Sequence, residues 1–206
     1  MKTIIQNNPV CAILRGVDPS KVLDYAKAVY AGGIRMFEVA MNSEGAADQI
    51  DQLRTAFGDT AWVGAGTVTT PERCEVAKAS GAQFFLTPSA TVSTLEFCRE
   101  QGIPLLPGIM TPTDVAVCLS YGYTTMKLFP AGDLPMGYIK SLKGPFDATE
   151  YVAVGGVSPA NIRQFFDAGF IGVGIGSSLA PKELVKAGQW DQVTDYIINL
   201  MEVVHQ

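Results

Sequence analysis

The chain has 206 residues and a mass of 22.0 kDa, with 48% hydrophobic and 17% charged residues, which suffices for one core and one domain. Its net charge of −5 argues against a surface built for nucleic acid or anionic lipid, so the expected partner is a small molecule. No apolar stretch is long enough for a membrane span and the first ten residues lack a secretion signal, so we expect a cytoplasmic protein with no membrane partner.

Short apolar runs, each typical of a buried β-strand, alternate with helix-periodic segments along the chain. The predicted strands are 10–14, 36–40, 62–65, 83–86, 104–106, 125–129, 151–154 and 171–175. The predicted helices are 19–31, 44–56, 71–80, 91–101, 111–121, 135–142, 158–168 and 189–204. Eight strand-helix units with apolar strands favour a parallel (β/α)₈ TIM barrel, in one α/β domain spanning 1–206. Active sites of this fold lie at the C-terminal ends of the strands.

Two charged residues stand in the first two predicted strands or directly after them. Arg15 follows the first, in Ala-Ile-Leu-Arg-Gly, where a planar guanidinium suits a carboxylate, although a solvated surface arginine is the alternative. Glu38 interrupts the apolar second strand, Met-Phe-Glu-Val-Ala, and burial there favours a raised pKa and a role in proton transfer. The alternative role for Glu38 is to neutralise a buried cation.

Three further candidates follow later strands. Thr67 comes after Gly-Ala-Gly at the end of the third strand, where its hydroxyl can hydrogen-bond a substrate carboxylate or hydroxyl. Pro88 after the fourth strand and Phe129, which precedes Pro130, are predicted to shape the pocket wall. Loop rigidity explains the prolines equally well.

Lys127 lies in Thr-Thr-Met-Lys-Leu-Phe-Pro, a run otherwise suited to a buried strand. An apolar pocket lowers the pKa of a lysine, so that the neutral amine can attack a ketone carbonyl. The alternative is a salt-bridged lysine, or one that extends from the strand end to solvent. Glu38 and Lys127 come from the second and sixth predicted strands, so they can share an inward layer of the barrel.

Glycine-rich loops follow the seventh and eighth predicted strands. They read Val-Gly-Gly-Val-Ser at 154–158 and Gly-Ile-Gly-Ser-Ser at 174–178. Loops at these two points of a TIM barrel usually bind phosphate through backbone N–H groups. Gly155, Gly156, Gly176 and Ser177 are the predicted phosphate contacts.

Other catalytic side chains are scarce. The one histidine, His205, is the second-last residue, which argues against Ser-His-Asp and Cys-His nucleophiles and against histidine-rich metal sites. The four cysteines lie far apart in the sequence, so we expect reduced packing residues. Neither a metal nor an organic cofactor is expected.

These motifs, in this order, resemble the 2-keto-3-deoxy-6-phosphogluconate and 4-hydroxy-2-oxoglutarate aldolases, including the 6-phosphogalactonate branch. The resemblance runs over nearly the whole chain, from Ala-Ile-Leu-Arg-Gly to Gly-Ile-Gly-Ser. It implies a class I aldolase in which Lys127 forms a Schiff base and Glu38 is the general acid and base. It also implies carboxylate contacts at Thr67 and the loop that holds Gly64 and Gly66, and a homotrimer. The implied products are pyruvate and glyceraldehyde 3-phosphate.

The chain also departs from the gluconate-type pattern. Asn42 stands four residues after Glu38, where many of those enzymes carry arginine, and Val154 stands where many carry threonine. Arg15 with Asn42 resembles the galactonate branch, whereas Lys-Leu-Phe-Pro resembles the gluconate type. The accepted C4 configuration therefore stays open.

Two other functions remain open on the residues alone. In a sugar-phosphate epimerase or isomerase, Lys127 and Glu38 would act as an acid/base pair without covalent chemistry. In a non-catalytic sugar-acid binding module, the pocket would need no perturbed lysine. A covalent ketone adduct discriminates against the first, and turnover of any 2-keto-3-deoxy acid discriminates against the second.

Overall fold

The computed structural model describes residues 1–205, in which parallel strands alternate with helices. The strands are β1 (Val10–Leu14), β2 (Met36–Ala40), β3 (Trp62–Gly66), β4 (Phe85–Leu86), β5 (Leu105–Leu106), β6 (Gly108–Ile109), β7 (Thr125–Leu128), β8 (Glu150–Val154) and β9 (Gly172–Ile175). The helices are α1 (Lys2–Asn7), α2 (Val22–Ala31), α3 (Ala46–Phe57), α4 (Pro71–Ala79), α5 (Val92–Glu100), α6 (Pro112–Ser120), α7 (Tyr138–Lys143), α8 (Ile162–Ala168), α9 (Lys182–Ala187) and α10 (Trp190–His205), with a 3₁₀ turn at Ala131–Asp133.

The sheet order is β5-β4-β3-β2-β1-β9-β8-β7-β6, and its two end strands are consecutive in the chain. β5 pairs with β4, β6 pairs with β7, and Pro107 lies between β5 and β6. Proline lacks a backbone N–H and cannot donate a ladder hydrogen bond, so it divides this segment. The predicted TIM barrel is confirmed, with its fifth strand present as two short strands.

Two helices were not predicted. Both α1 and α9 have six residues, too few for a helical repeat to show clearly in the sequence. α1 precedes the first strand, and its Ile5 packs in the barrel interior with Cys11 and Met36. α9 follows β9 and forms part of the wall of a cavity beside Arg15.

Alternation along the strands decides which side chains enter the barrel. In β2, Met36 packs in the interior cluster, whereas Phe37 and Val39 pack in the core beneath the helices. Glu38 therefore points inward, two residues after Met36. Lys127 likewise lies between Met126 and Leu128, which both pack outward.

The sequence also predicted reduced, buried cysteines and no membrane-spanning segment. All four cysteines are buried and unbridged, as expected for packing residues. Across residues 1–205 we find no helix with the length and apolar character that a membrane crossing requires.

Candidate active site

A cavity of about 590 Å³ opens at the C-terminal ends of the strands. Most of the residues predicted for the site line it, although they come from segments throughout the chain. They are Arg15, Glu38, Thr67, Pro88, Lys127, Phe129, Gly155, Gly156, Gly176 and Ser177. The fold thus brings the candidate nucleophile, the candidate acid and the glycine loops to one surface.

Three predicted residues lie next to the cavity rather than in its lining. Gly64 packs against Phe84, since a Cβ at Gly64 would lie 2.5 Å from that ring. Gly66 packs directly against Glu38, and Asn42 contacts Arg15. Gly66 and Asn42 thus contact lining side chains from behind, whereas Phe84, the neighbour of Gly64, is not part of the lining.

Lys127 projects from β7 into the cavity and is 6% exposed. Its Nζ lies 4.8 Å from the centre of the Phe129 ring. Burial lowers the pKa of Lys127 below its usual value, the charge of Glu38 opposes this, and Arg15 lowers it further. A larger share of the amine is therefore neutral than in an exposed lysine, as a nucleophile requires.

Glu38 projects from β2 and is 2% exposed. Its Oε2 is buried and has no hydrogen-bond partner within residues 1–205. Burial raises the pKa of this carboxyl above its usual value, while the charges of Lys127 and Arg15 act in the opposite direction. A carboxyl whose pKa is raised keeps its proton at a higher pH than an exposed carboxyl, which suits a group that both donates and accepts protons.

Gly66 sets the position of the Glu38 carboxylate. A Cβ at Gly66 would lie 1.2 Å from Glu38 Oε1, so any side chain there would overlap the carboxylate. The two residues lie on paired strands, with Gly66 opposite Ala40 in the register of β2 and β3. The glycine thus provides the space that the carboxylate occupies.

Arg15 joins the ends of three neighbouring strands. Its Nη1 donates to Asn42 Oδ1 at 3.1 Å, and its Nη2 donates to Thr67 Oγ1 at 2.9 Å. Thr67 has a φ of 57°, which is unfavourable for a β-branched residue and has to be held by its surroundings. Arg73 Nη1 contributes by donating to the Thr67 carbonyl at 3.3 Å.

The glycine loops have backbone conformations that favour glycine. Gly155 and Gly156 have φ values of 87° and 74°, and the Gly155 carbonyl accepts a hydrogen bond from Gly132 N–H at 2.8 Å. In a trans peptide the carbonyl and the following N–H point in opposite directions, so this bond directs the Gly156 N–H away from Gly132. Ser178 Oγ ties the two loops together by donating to the Val157 carbonyl at 2.8 Å.

Several lining residues were not assigned to the site from sequence. Ile13, Val154 and Gly174 are inward residues of β1, β8 and β9, and Ser158 and Ser178 lie in the glycine loops. The serines were visible within the loop motifs, and Val154 was noted only as a departure from the gluconate-type pattern, whereas apolar Ile13 carried no signal of its own. Within residues 1–205 no group of three or more His, Cys, Asp or Glu side chains is placed to bind a metal.

Comparison with known proteins gives consistent matches over nearly the whole chain. The family model "KDPG and KHG aldolase" matches residues 1–196. A 2-dehydro-3-deoxy-phosphogluconate aldolase of Pseudoalteromonas atlantica is 35% identical over 93% of this chain and 89% of its own length. A 2-dehydro-3-deoxy-6-phosphogalactonate aldolase of Escherichia coli is 36% identical over 88% of this chain and 86% of its own length.

A solved structure matches equally well in three dimensions. KDPG aldolase from Legionella pneumophila, with pyruvate captured as a covalent carbinolamine intermediate, superposes with a TM-score of 0.88. The match covers 97% of both chains at 28% sequence identity.

Proposed function

This chain belongs to the KDPG and KHG aldolase family, and on that premise we propose that it is a class I aldolase for 2-keto-3-deoxy-6-phospho sugar acids. The proposed reaction is reversible cleavage of such an acid to pyruvate and glyceraldehyde 3-phosphate. The observation that carries the proposal is a buried lysine, Lys127, that faces a cavity together with a buried carboxyl, Glu38.

Lys127 is proposed to form the Schiff base. Its neutral amine attacks the C2 ketone to give a carbinolamine, which loses water and becomes a protonated imine. The C3–C4 bond then breaks, and its electron pair moves into the imine to give an enamine. Burial in the apolar barrel disfavours the charged amine, which keeps it reactive.

Glu38 is proposed to transfer the protons. It protonates the carbinolamine hydroxyl as water leaves, and it accepts the C4 hydroxyl proton, through a water molecule, as the aldehyde forms. The same carboxyl then protonates the enamine carbon, and hydrolysis of the imine releases pyruvate and restores Lys127. The unpaired Glu38 Oε2 supports this role, because no protein group competes for that oxygen within residues 1–205. No step in this sequence needs a metal or an organic cofactor.

The two ends of the substrate are proposed to bind on opposite sides of these residues. Arg15 and Thr67, whose side chains already contact each other at 2.9 Å, are suited to the carboxylate. The loop N–H groups around Gly156 and Ser177 are suited to the phosphate, since neither N–H has a partner within residues 1–205.

The substrate range of the proposal includes both C4 epimers of the six-carbon acid. Relatives named for the gluconate and the galactonate acids match this chain almost equally, at 35% and 36% identity. Cleavage of 4-hydroxy-2-oxoglutarate to pyruvate and glyoxylate is a further part of the proposal, and it would leave the glycine loops unused. Steady-state kinetics with each acid assigns the natural substrate.

Trapping with borohydride tests the covalent step. The protein is incubated with pyruvate and sodium borohydride, and mass spectrometry followed by peptide mapping locates the adduct. A reduced adduct on the peptide that contains Lys127 is expected. If conditions that label a known class I aldolase give no adduct here, the Schiff-base mechanism is refuted and a non-covalent epimerase or isomerase takes its place.

The proposal extends to a homotrimer located in the cytoplasm. Exposed large apolar side chains support an oligomer, because such side chains often mark an interface between subunits. Those of Val92, Met110 and Phe129 are 45%, 44% and 37% exposed. Sedimentation equilibrium at micromolar concentration is expected to give three times the chain mass, and a monomer would contradict the trimer.

A further inference from the structure

A second cavity, of about 310 Å³, lies beside the catalytic cavity. It lies between the segment that follows β1 and helix α9, and it shares Arg15, Gly176 and Ser177 with the catalytic cavity. The loop after β9 therefore has one cavity on each side. None of the catalytic steps above uses the second cavity.

The lining of the second cavity is strongly basic. Lys21, Lys182, Lys186 and Arg15 supply four positive charges, and Asp18 supplies one negative charge, so the lining carries a formal charge of +3. The whole chain has a net charge of −5. Because like charges repel, gathering four cations around one cavity favours an anion inside it.

The lysines differ in how firmly they are held. Lys21 Nζ donates to the Lys186 carbonyl at 2.6 Å, which ties the segment after β1 to the end of α9. Lys186 Nζ lies 3.8 Å from Glu183, but that carboxylate is outside the cavity lining and its side chain is 85% exposed. An exposed pair of this kind is weak, so Lys186 stays available to a bound anion.

Tyr25 brings a hydroxyl donor to the same wall. The residue is only 6% exposed and lines the cavity, and no hydrogen bond joins its hydroxyl to another group within residues 1–205. Burial raises the pKa of Tyr25 to about 12, so the hydroxyl keeps its proton at neutral pH. The hydroxyl is not among the enclosed unpartnered atoms of residues 1–205, so it is open to the cavity and available to donate to a ligand there.

We propose that the second cavity, which we call the lysine pocket and define by Lys21, Tyr25, Lys182 and Lys186, binds a small phosphate monoester. The phosphate dianion lies among the lysines and accepts a hydrogen bond from Tyr25, because lysines bind phosphate as point charges. The short carbon body packs against the apolar part of the lining, which Ile13, Val17 and Val185 provide. Since Arg15 and Ser177 belong to both cavities, a ligand here is expected to change substrate affinity by linkage.

Trp190 provides the reporter for a direct binding test. Its ring centre lies 6.5 Å from that of Tyr25, and the chain contains only two tryptophans. Trp62→Phe therefore leaves Trp190 as the only tryptophan, whose emission can be excited selectively over that of the tyrosines. Titration of this variant with glycerol 3-phosphate is expected to give a saturable change in emission. Inorganic phosphate, which lacks the carbon body, is expected to bind more weakly, and equal affinity would overturn the assignment of a monoester.

Paired substitutions locate the site. In the Trp62→Phe background, Lys182→Gln with Lys186→Gln is expected to raise the Kd for glycerol 3-phosphate at least tenfold. The charge-matched pair Lys27→Gln with Lys140→Gln, two exposed lysines outside the pocket, is expected to leave it within twofold.

A further variant tests the Tyr25 hydroxyl. The titrations of all the variants together distinguish binding in the lysine pocket from binding in the catalytic cavity. Tyr25→Phe is expected to raise the Kd about threefold to tenfold, the effect of one hydrogen bond. Binding that survives loss of both Lys182 and Lys186 would place the probe at the glycine loops and overturn the proposal. An equal loss in the charge-matched pair would also overturn it, by showing a general effect of charge. These titrations use no turnover, so failure of the aldolase proposal would leave their interpretation unchanged.

Discussion

Gly66→Ala is the substitution for which the structure predicts the largest effect from the smallest chemical change. A Cβ at Gly66 would lie 1.2 Å from Glu38 Oε1 and 2.1 Å from Glu38 Cδ. Carbon contacts normally begin at about 3.5 Å, so the carboxylate has to move by about 2 Å. The Gly66 backbone lies in β3 and needs no positive φ, so alanine fits the backbone itself.

The expected consequence is a loss of proton transfer. General acid–base catalysis contributes about 10²–10⁴-fold, and a misplacement of about 1 Å already costs about 10²-fold. We therefore expect Gly66→Ala to lower kcat by about 10²–10⁴-fold, or about 3–5 kcal/mol in the barrier. Pyruvate release from the six-carbon acid, followed by a coupled assay, measures kcat. Borohydride trapping of pyruvate should still label Lys127 after long incubation, because the amine is untouched, but more slowly than in the parent, because Glu38 also assists imine formation.

Two comparison variants make this result interpretable. Gly137→Ala adds a methyl where no atom lies within 4 Å, and it should leave kcat unchanged. Glu38→Gln removes the acid without the clash and sets the largest loss to expect, which covers the case in which Gly66→Ala unfolds. Thermal unfolding of each variant shows whether the barrel persists. A folded Gly66→Ala protein with kcat within threefold of the parent would refute the role assigned to the Glu38 position.

Three further predictions concern charge, configuration and the carboxylate. Glu38→Gln removes a charge that raises the pKa of Lys127, so this pKa should fall further. The pH midpoint of pyruvate trapping should therefore shift to lower pH. An unchanged or higher midpoint would contradict the coupling between the two residues. Val154→Thr adds a hydroxyl to the cavity lining. The ratio of kcat/KM for the two C4 epimers should change by about twofold to tenfold, which is the effect of one hydrogen bond. An unchanged ratio would exclude a contact between this residue and the C4 hydroxyl. Arg15→Met removes the hydrogen bond to Thr67 and should raise KM for pyruvate in the aldol direction at least tenfold. Saturating pyruvate should still be trapped by borohydride. An unchanged KM would show that Arg15 does not bind the substrate carboxylate.

The strands and the two buried charged residues were predictable because each differs from its neighbours in the sequence. Glu38 and Lys127 interrupt apolar strands, and a charge in such a run is costly unless it has a function or a partner. The family resemblance from sequence is confirmed by the match over residues 1–196. The division of the fifth strand was not predicted, although Pro107 is visible in the sequence, because only the pairing of β5 and β6 with different neighbours reveals it.

The supporting contacts of the site could not be predicted because they depend on register between strands. Arg15, Asn42 and Thr67 follow three different strands, and no local pattern indicates that one guanidinium reaches both partners. The positive φ of Thr67 is equally invisible, since threonine rarely adopts it. Gly66 was read as part of a carboxylate loop, but its contact with Glu38 appears only when β2 and β3 are aligned.

The two cavities suggest how one barrel end can separate chemistry from binding. Lys127 and Glu38 sit on strands, where packing fixes them and burial shifts both pKa values toward the neutral forms. The loop after β9, by contrast, has the catalytic cavity on one face and the lysine pocket on the other, with Ser177 lining both. A ligand in the lysine pocket would therefore act on substrate binding through this loop. Such a ligand should alter KM for phosphorylated acids, and an unchanged KM with the pocket occupied would show that the loop does not couple the two cavities.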